Sequence, residues 1–285
     1  MAMLTRNSYV KITLVVVLGL LVLGLLGFGT MGGCSMRFGS WGGETQLGNA
    51  SVDAASVENL DVAWAAGSVN VRVVDDDEAD GAVQLIETAP RGLTKAQQMR
   101  WGMDGATLKV DYGSGFSCFS LSRKDLEVRL PKSCAERLGW VGIDGASGRY
   151  DVEGLSAETL ELNLASGEMN VNDVRAKRLN VDVASGQLNV AGSFEQAVSL
   201  QTASGKTSVV CEDACPRSID ADVASGFMSV TVPENSGFTA RVDKLSGSFA
   251  SAFALTQTGD TYVCGNGEAS LDVDLASGEF RLEKR

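Results

Sequence analysis

The chain has 285 residues, 44% hydrophobic and 21% charged, with 24 Lys and Arg against 36 Asp and Glu and a formal net charge of -12. That length holds one large or two ordinary domains, the composition excludes a disordered polymer, and the acidic balance excludes sequence-independent attraction to nucleic acid or an anionic lipid surface. Histidine is absent, which removes Ser-His-Asp and Cys-His nucleophiles, imidazole acid/base chemistry and His-ligated zinc.

Residues 12–30 carry no charge and are dominated by Leu, Val and Gly, and the uncharged stretch runs on to Met36. That exceeds the roughly 20 residues needed to span a bilayer core. Arg6 and Lys11 precede it, and beyond residue 34 the chain holds 22 basic against 36 acidic residues, a net of -14. The bias predicts a cytoplasmic N-terminus and one membrane-spanning helix within residues 1–36, with the rest of the chain outside. Met31-Gly32-Gly33-Cys34 is similar to a lipobox, so a lipoprotein tethered through Cys34 is the alternative. A cleaved signal peptide fits poorly, because secretory apolar cores run about 7 to 15 residues and end at small-residue sites. Residues 37–56, rich in Gly, Ser, Ala and Asn, read as a flexible spacer.

Strands are expected from Val57 onward, with Ala66-Gly67-Ser68-Val69-Asn70-Val71 paralleling Ser185-Gly186-Gln187-Leu188-Asn189-Val190. Val83–Glu87, Thr107–Tyr112, Phe116–Leu121 and Leu126–Leu130 add alternating or apolar runs, and Leu93–Trp101 suits a short helical turn. Residues 57–145 therefore form an irregular first part of one β domain. From residue 146 a repeat takes over: Ala-Ser-Gly stands at 146–148, 165–167, 184–186, 203–205, 224–226 and 276–278, with Leu245-Ser246-Gly247 in the gap. The steps between the serines are 19, 19, 19, 21, 21 and 31 residues, the last containing an insertion at Gly259–Glu268. A fixed period with turn residues in register marks a solenoid, whose repeats bury their apolar faces by stacking on one another.

Within a unit, Leu160, Leu162 and Leu164 alternate with Glu161 and Asn163, and after the corner Met169 and Val171 resume the apolar face. Strand, corner, strand is the unit. Glycine at the corner admits positive φ, and the serine hydroxyl bonds local backbone or the serine of the next coil. Arg281, Glu283, Lys284 and Arg285 put charge on what should be the exposed last strand, a defence against edge-to-edge association.

Three groups of residues resemble a known family, the bacterial putative-adhesin β-strand-repeat family, a domain of unknown function in cell-envelope proteins. Leu60-Asp61-Val62-Ala63-Trp64-Ala65-Ala66-Gly67 is similar to its opening strand and corner, Leu126-Glu127-Val128-Arg129-Leu130-Pro131 to the strand before its repeats, and the Leu-x-x-x-Ala-Ser-Gly-x-x-x-Val units to its body. The likeness covers residues 57–285. It implies an envelope location and carries no catalytic motif, and some relatives are linked to envelope-stress signalling.

Asn163, Asp182, Gln201, Asp222, Asp243 and Asp274 stand three residues before the corner serines, on the outward face. Stacked about 4.8 Å apart they form a stripe suited to a divalent cation or a basic partner. A merely solvated face also suffices, since like charges so spaced in water repel by only about 0.9 kcal/mol. Asp75-Asp76-Asp77-Glu78 with Asp80 reads as a charged loop tip, and Asn70, Asn170, Asn189, Ser208 and Ser229 as an inter-coil hydrogen-bond ladder. Six cysteines admit disulfides, with Cys211–Cys215 and Cys118–Cys134 the expected pairs and Cys264 left over or matched with Cys34.

The expectation is an all-β protein: a single-handed, β-helix-like solenoid of about 19 to 21-residue coils over residues 57–285, preceded by one transmembrane helix. It would act without catalysis as an adhesin-like binding or scaffolding module for a cell-wall glycan or envelope protein. An envelope-stress regulator contacting a membrane partner is the alternative. A polysaccharide-active enzyme using Asp220, Asp222 and Asp243 is the third reading. No catalytic, cofactor-binding or metal residue is assigned, and no cofactor is called for.

Overall fold

The computed structural model describes residues 44–113 and 123–285. The membrane segment at 1–36 with Cys34, the first residues of the spacer, the strand expected at Phe116–Leu121 and Cys118 lie outside the described residues. Among the described residues no helix is long and apolar enough to cross a membrane. Among the described residues the architecture is all-β, broken only by a 3-10 turn at Ala54–Ser56 and a four-residue helix at Lys132–Ala135.

Each repeat supplies one strand before its corner and one after it. The former stack in a first parallel sheet and the latter in a second, and their inward residues share one core: Leu160, Leu162 and Leu164 meet Met169 and Val171 out of water. The bend opposite the corner lies inside long strands. Glu168–Val183 starts in the second sheet, shifts register between Val171 and Val174, and finishes in the first. Leu160 pairs with Leu179, and Leu179 with Val198, so a 19-residue step along the chain is one step up the stack.

The corner explains the Ala-Ser-Gly triplet. The Ser166 amide donates to the Ala146 carbonyl at 2.9 Å, and its hydroxyl donates to the same oxygen at 3.2 Å. The pattern recurs from Ser185 to Ala165, Ser204 to Ala184, Ser225 to Ala203, Ser277 to Ala224 and Ser246 to Ala276. The hydroxyl partner is thus the alanine carbonyl one coil away, not the neighbouring serine. Gly148 and Gly167 take φ of +138° and +99° as expected. At Gly205 the reason for glycine is proximity, because a Cβ would stand 2.4 Å from the Gly186 carbonyl oxygen.

Coil order departs from chain order at both ends. The first sheet runs Thr107–Asp111, Asn59–Trp64, Leu138–Gly145, Ser156–Leu164, residues 175–183, residues 197–202, Ser218–Val223, Ala269–Leu275, Phe238–Lys244. The second runs Lys124–Pro131, Gly67–Val74, Arg149–Glu153, residues 168–172, residues 187–192, Lys206–Cys211, Phe227–Val232, Glu279–Lys284, Ser248–Ser251. The final coil is therefore inserted between two others, which corrects the expectation of a charged edge at Arg281, Glu283 and Lys284. Arg281 and Glu283 alternate with buried Phe280 and Leu282, Arg281 pairs with Glu279 at 2.6 Å and Lys284 with Glu234 at 3.1 Å. Charge on the outward face of an interior strand is compatible with full pairing of its backbone.

Two expectations for the early region also change. Residues 44–56, assigned to the spacer, include strands at Gln46–Leu47 and Ala50–Asp53 that pair antiparallel with Arg100–Asp104 and Ala82–Thr88 and bury Val52. Within Leu93–Trp101 only one turn forms, closed by Thr94, after which Arg100 and Trp101 enter a strand. The 31-residue step is filled by a hairpin, Thr256–Thr258 with Thr261–Cys264, laid antiparallel on Phe238–Lys244.

Gly205→Ala isolates the close approach, and it should lower unfolding free energy by about 1–3 kcal/mol, read as a lower urea midpoint. An unchanged midpoint would mean that the coils tolerate a methyl group between their corners.

Candidate functional site

The outer face of the first sheet gathers the acidic residues. Three positions before the corner, the stacking order is Asp111, Ala63, Asp144, Asn163, Asp182, Gln201, Asp222, Asp274, Asp243. The inserted last coil places Asp274 between Asp222 and Asp243. Two positions further back lies a second row: Lys109, Asp61, Gly142, Glu161, Asn180, Ser199, Asp220, Asp272, Arg241. Two acidic groups result. Asp61, Asp144, Glu161 and Asp182 form one; Asp220, Asp222, Asp272, Asp274 and Asp243 form the other, with neutral Asn180, Ser199 and Gln201 between them.

Crowding perturbs these carboxyls. Partial burial, reinforced by Asp144, lifts Asp61 to about 6. Burial together with Asp220, Asp274 and Asp182 lifts Asp222 to about 7. Asp182 is raised by burial and Glu161, and Asp274 by burial and Asp243, with Arg241 opposing. In the first group Asn163 Nδ2 donates to Asp144 at 2.7 Å and Trp140 Nε1 to Glu161 at 3.2 Å. The Trp140 ring lies where a side chain on Gly142 would stand, 2.2 Å from the position of its Cβ. Among the described residues no three His, Cys, Asp or Glu side chains converge in a group able to hold a metal ion.

Asp220, Asp222 and Asp243, the residues of the enzymatic reading, share this face. Asp222 and Asp243 are separated by the whole Asp274 strand, about 9.6 Å at the usual strand spacing. Two clefts of about 530 and 440 Å³ are lined by other residues: one by Arg72, Lys132, Glu136, Glu153, Asp173 and Arg175 at the bend, the other by Asn49, Glu87, Arg91 and Gln98.

The loop acids form a turn, with Asp80 at φ +51°. Asp76 accepts from the Ser133 amide and hydroxyl, which hold its carboxyl below the usual range. On the second sheet Asn189 Nδ2 donates to Asn170 at 2.9 Å and Ser229 to Ser208 at 3.1 Å, the ladder read from the repeat. Cys211 and Cys215 are free thiols in place of the expected disulfide. Burial, with a smaller effect from Cys215, pushes Cys211 up to about 12. Cys134 is a buried free thiol with Sγ 3.8 Å from the Val57 carbonyl.

Sequence reasoning missed the second acidic row, though counting back five residues from each corner serine recovers Glu161, Asp220 and Asp272. It also missed Lys124, which is fully buried. Its Nζ donates to Glu87 at 2.6 Å and to the carbonyls of Gln97 at 2.6 Å and Tyr112 at 2.5 Å, 4.2 Å from the Tyr112 ring centre and 4.9 Å from that of Trp64. Burial lowers its affinity for the proton, against the opposing pull of Glu87. Three acceptors and two aromatic faces satisfy this ammonium, which plugs the end of the core.

Raised carboxyls bind protons more tightly in the folded chain than in the unfolded one, so their contribution to stability is full below about pH 4 and is lost as pH rises through about 6 to 7. Thermal midpoints from this face should fall between pH 5 and pH 8, and Asp222→Asn should flatten that fall. A midpoint that rises over this window, or an unaltered slope in the variant, contradicts the assignment.

No curated protein matches the chain in sequence. Among solved structures it is similar to a putative cell adhesion protein from Clostridium sporogenes, at 13% identity over 85% of this chain and all of that one, with a TM-score of 0.39. A putative adhesin from Bacteroides fragilis is 15% identical over 86% of this chain and all of the other, with a TM-score of 0.44. One from Parabacteroides distasonis is 12% identical over 86% and 98%, with a TM-score of 0.40. The family model described as Toastrack DUF4097 matches residues 57–211, the early coils together with the regular 19-residue repeats. That match spans more than half of the sequence, and the chain belongs to the Toastrack DUF4097 family.

Proposed function

We propose that this chain is a membrane-anchored, extracytoplasmic β-repeat protein that works without catalysis, as an adhesin-like binding or scaffolding module. The N-terminal segment serves as a single span with its N-terminus in the cytoplasm, and the solenoid, winding in one hand, stands outside.

The observation that carries the proposal is the two-row acidic face. It is broad, built on paired strands and held at fixed spacing, so it presents charge to a large partner instead of enclosing a small one. Its carboxylates select a partner with positive charge, such as a cell-wall glycan bearing free amino groups.

Incubation of the full chain with purified cell-wall glycan tests this. Retention without released fragments is expected. It should be lost near 1 M salt, where the screening length is about 3 Å, and in the double variant Asp222→Asn/Asp274→Asn. Soluble fragments would make the protein a carboxylate enzyme instead. Absence of retention would transfer the role to a regulator that contacts an envelope protein.

A further inference from the structure

The two sheets have four edges, and among the described residues three are extended beyond the coil stack by short added antiparallel strands. The first sheet ends in Gln46–Leu47 at one side and Thr256–Thr258 at the other. The second ends at one side in Ala50–Asp53, laid on Ala82–Thr88. The fourth edge is a strand of the coil stack itself: among the described residues, Ser248–Ser251 pairs only with Glu279–Lys284.

The open groups on this edge follow from the ladder. The Ser248 amide donates to Gly278 at 3.0 Å and the Ala252 amide to Leu282 at 2.9 Å, so residues 248, 250 and 252 turn toward the inner strand. By alternation, the N–H and C=O groups of Phe249 and Ser251 point away from the stack. The strand is held firmly behind them: the Phe249 ring lies 6.0 Å from Phe280 and 5.2 Å from Tyr262.

Charge is missing here. Residues 245–259 contain no Asp, Glu, Lys or Arg in a chain that is 21% charged, and Leu245 is 52% exposed. Soluble proteins guard such edges with charge, proline or a covering segment, and this strand carries neither charge nor proline.

We propose that this edge is the site of self-association, in which two copies of the chain join Ser248–Ser251 antiparallel about a twofold axis. The register that uses all four open groups sets Phe249 opposite Ser251 of the second copy and Ala250 opposite Ala250. Large then faces small on the inner side, small faces small on the outer side, and no charge meets its like. Because the twofold sets like edge against like, the contact closes on itself as a pair and does not propagate through this edge.

Sedimentation velocity on the purified full-length chain, across a wide concentration range, is the test. Wild type should pass from monomer to dimer. Ala250→Lys and Ala250→Asp, each placing like charges opposite one another on an exposed position, should weaken that step by roughly tenfold or more. An equimolar mixture of the two variants should restore it, which only folded chains meeting at residue 250 can do. Ser51→Lys, on the opposite edge, should associate as wild type does. A chain that stays monomeric throughout overturns the proposal and leaves the edge to a strand from another protein. Variants that dimerise as wild type does, or a mixture that fails to recover, overturn it as well.

Discussion

Everything in this molecule hangs on how closely successive corners approach. A glycine in one coil lies against the carbonyl of the glycine in the next, at a distance that leaves no room for a methyl group, and the serine beside it donates twice to one alanine carbonyl. Those paired bonds lock neighbouring coils into one register. Six corner hydroxyls, at about 0.5 kcal/mol each for exposed groups, add a few kcal/mol, a useful share of a domain stability of about 5–15 kcal/mol. The larger consequence is geometric. Once corners align, each position relative to the corner becomes a row running up the stack, so apolar positions build a continuous core and outward ones build continuous surface stripes.

The acidic face follows from that lock. No single coil carries more than two of its carboxylates, and in isolation each would be an ordinary solvated side chain. Partial burial on the sheet face lifts them most, and alignment adds the charge of neighbouring coils, which is why Asp222, beside Asp220 and Asp274 and two coils from Asp182, is lifted furthest toward neutrality. The ends of the stack obey a different logic. A solenoid exposes sheet edges wherever it stops, and here the chain returns on itself at both ends, sending antiparallel strands outward and threading a later or earlier coil back inside. The Lys124 and Glu87 pair belongs to the same solution, since it fills the end of the core against the Trp64 and Tyr112 rings while the ammonium satisfies carbonyls left at the end of the stack.

The sequence made the repeating unit legible because the interactions that define it are local in register: alternating Leu and Val, a small residue at the corner and a fixed period. The asparagine ladder and the outward Asp row could be read by the same counting. What it hid were contacts with no periodic signature. The insertion of residues 269–284 between two earlier coils leaves the strand pattern of Ala269–Leu275 unchanged, so the charges at its end looked like edge protection. Residues 44–56 looked like spacer because small and polar residues fill most of them, yet Val52 needed only one antiparallel neighbour to become buried. Lys124 stands 37 residues from Glu87 and 27 from Gln97, and they meet only because the strand that Lys124 opens lies at the outer end of the stack, against the segments that cover it.

The central claim is that corner register, and not chain order, decides which strands are interior, and the C-terminal coil is where the two part company. Native-state hydrogen exchange of the full chain, resolved at residues 279–284, separates them. If the coil is inserted, amides in Glu279–Lys284 exchange as slowly as those of Lys206–Cys211 in mid-stack and more slowly than those of Ser248–Ser251. Fast exchange at 279–284, typical of a fraying terminal strand, with slower exchange at 248–251, would contradict the account.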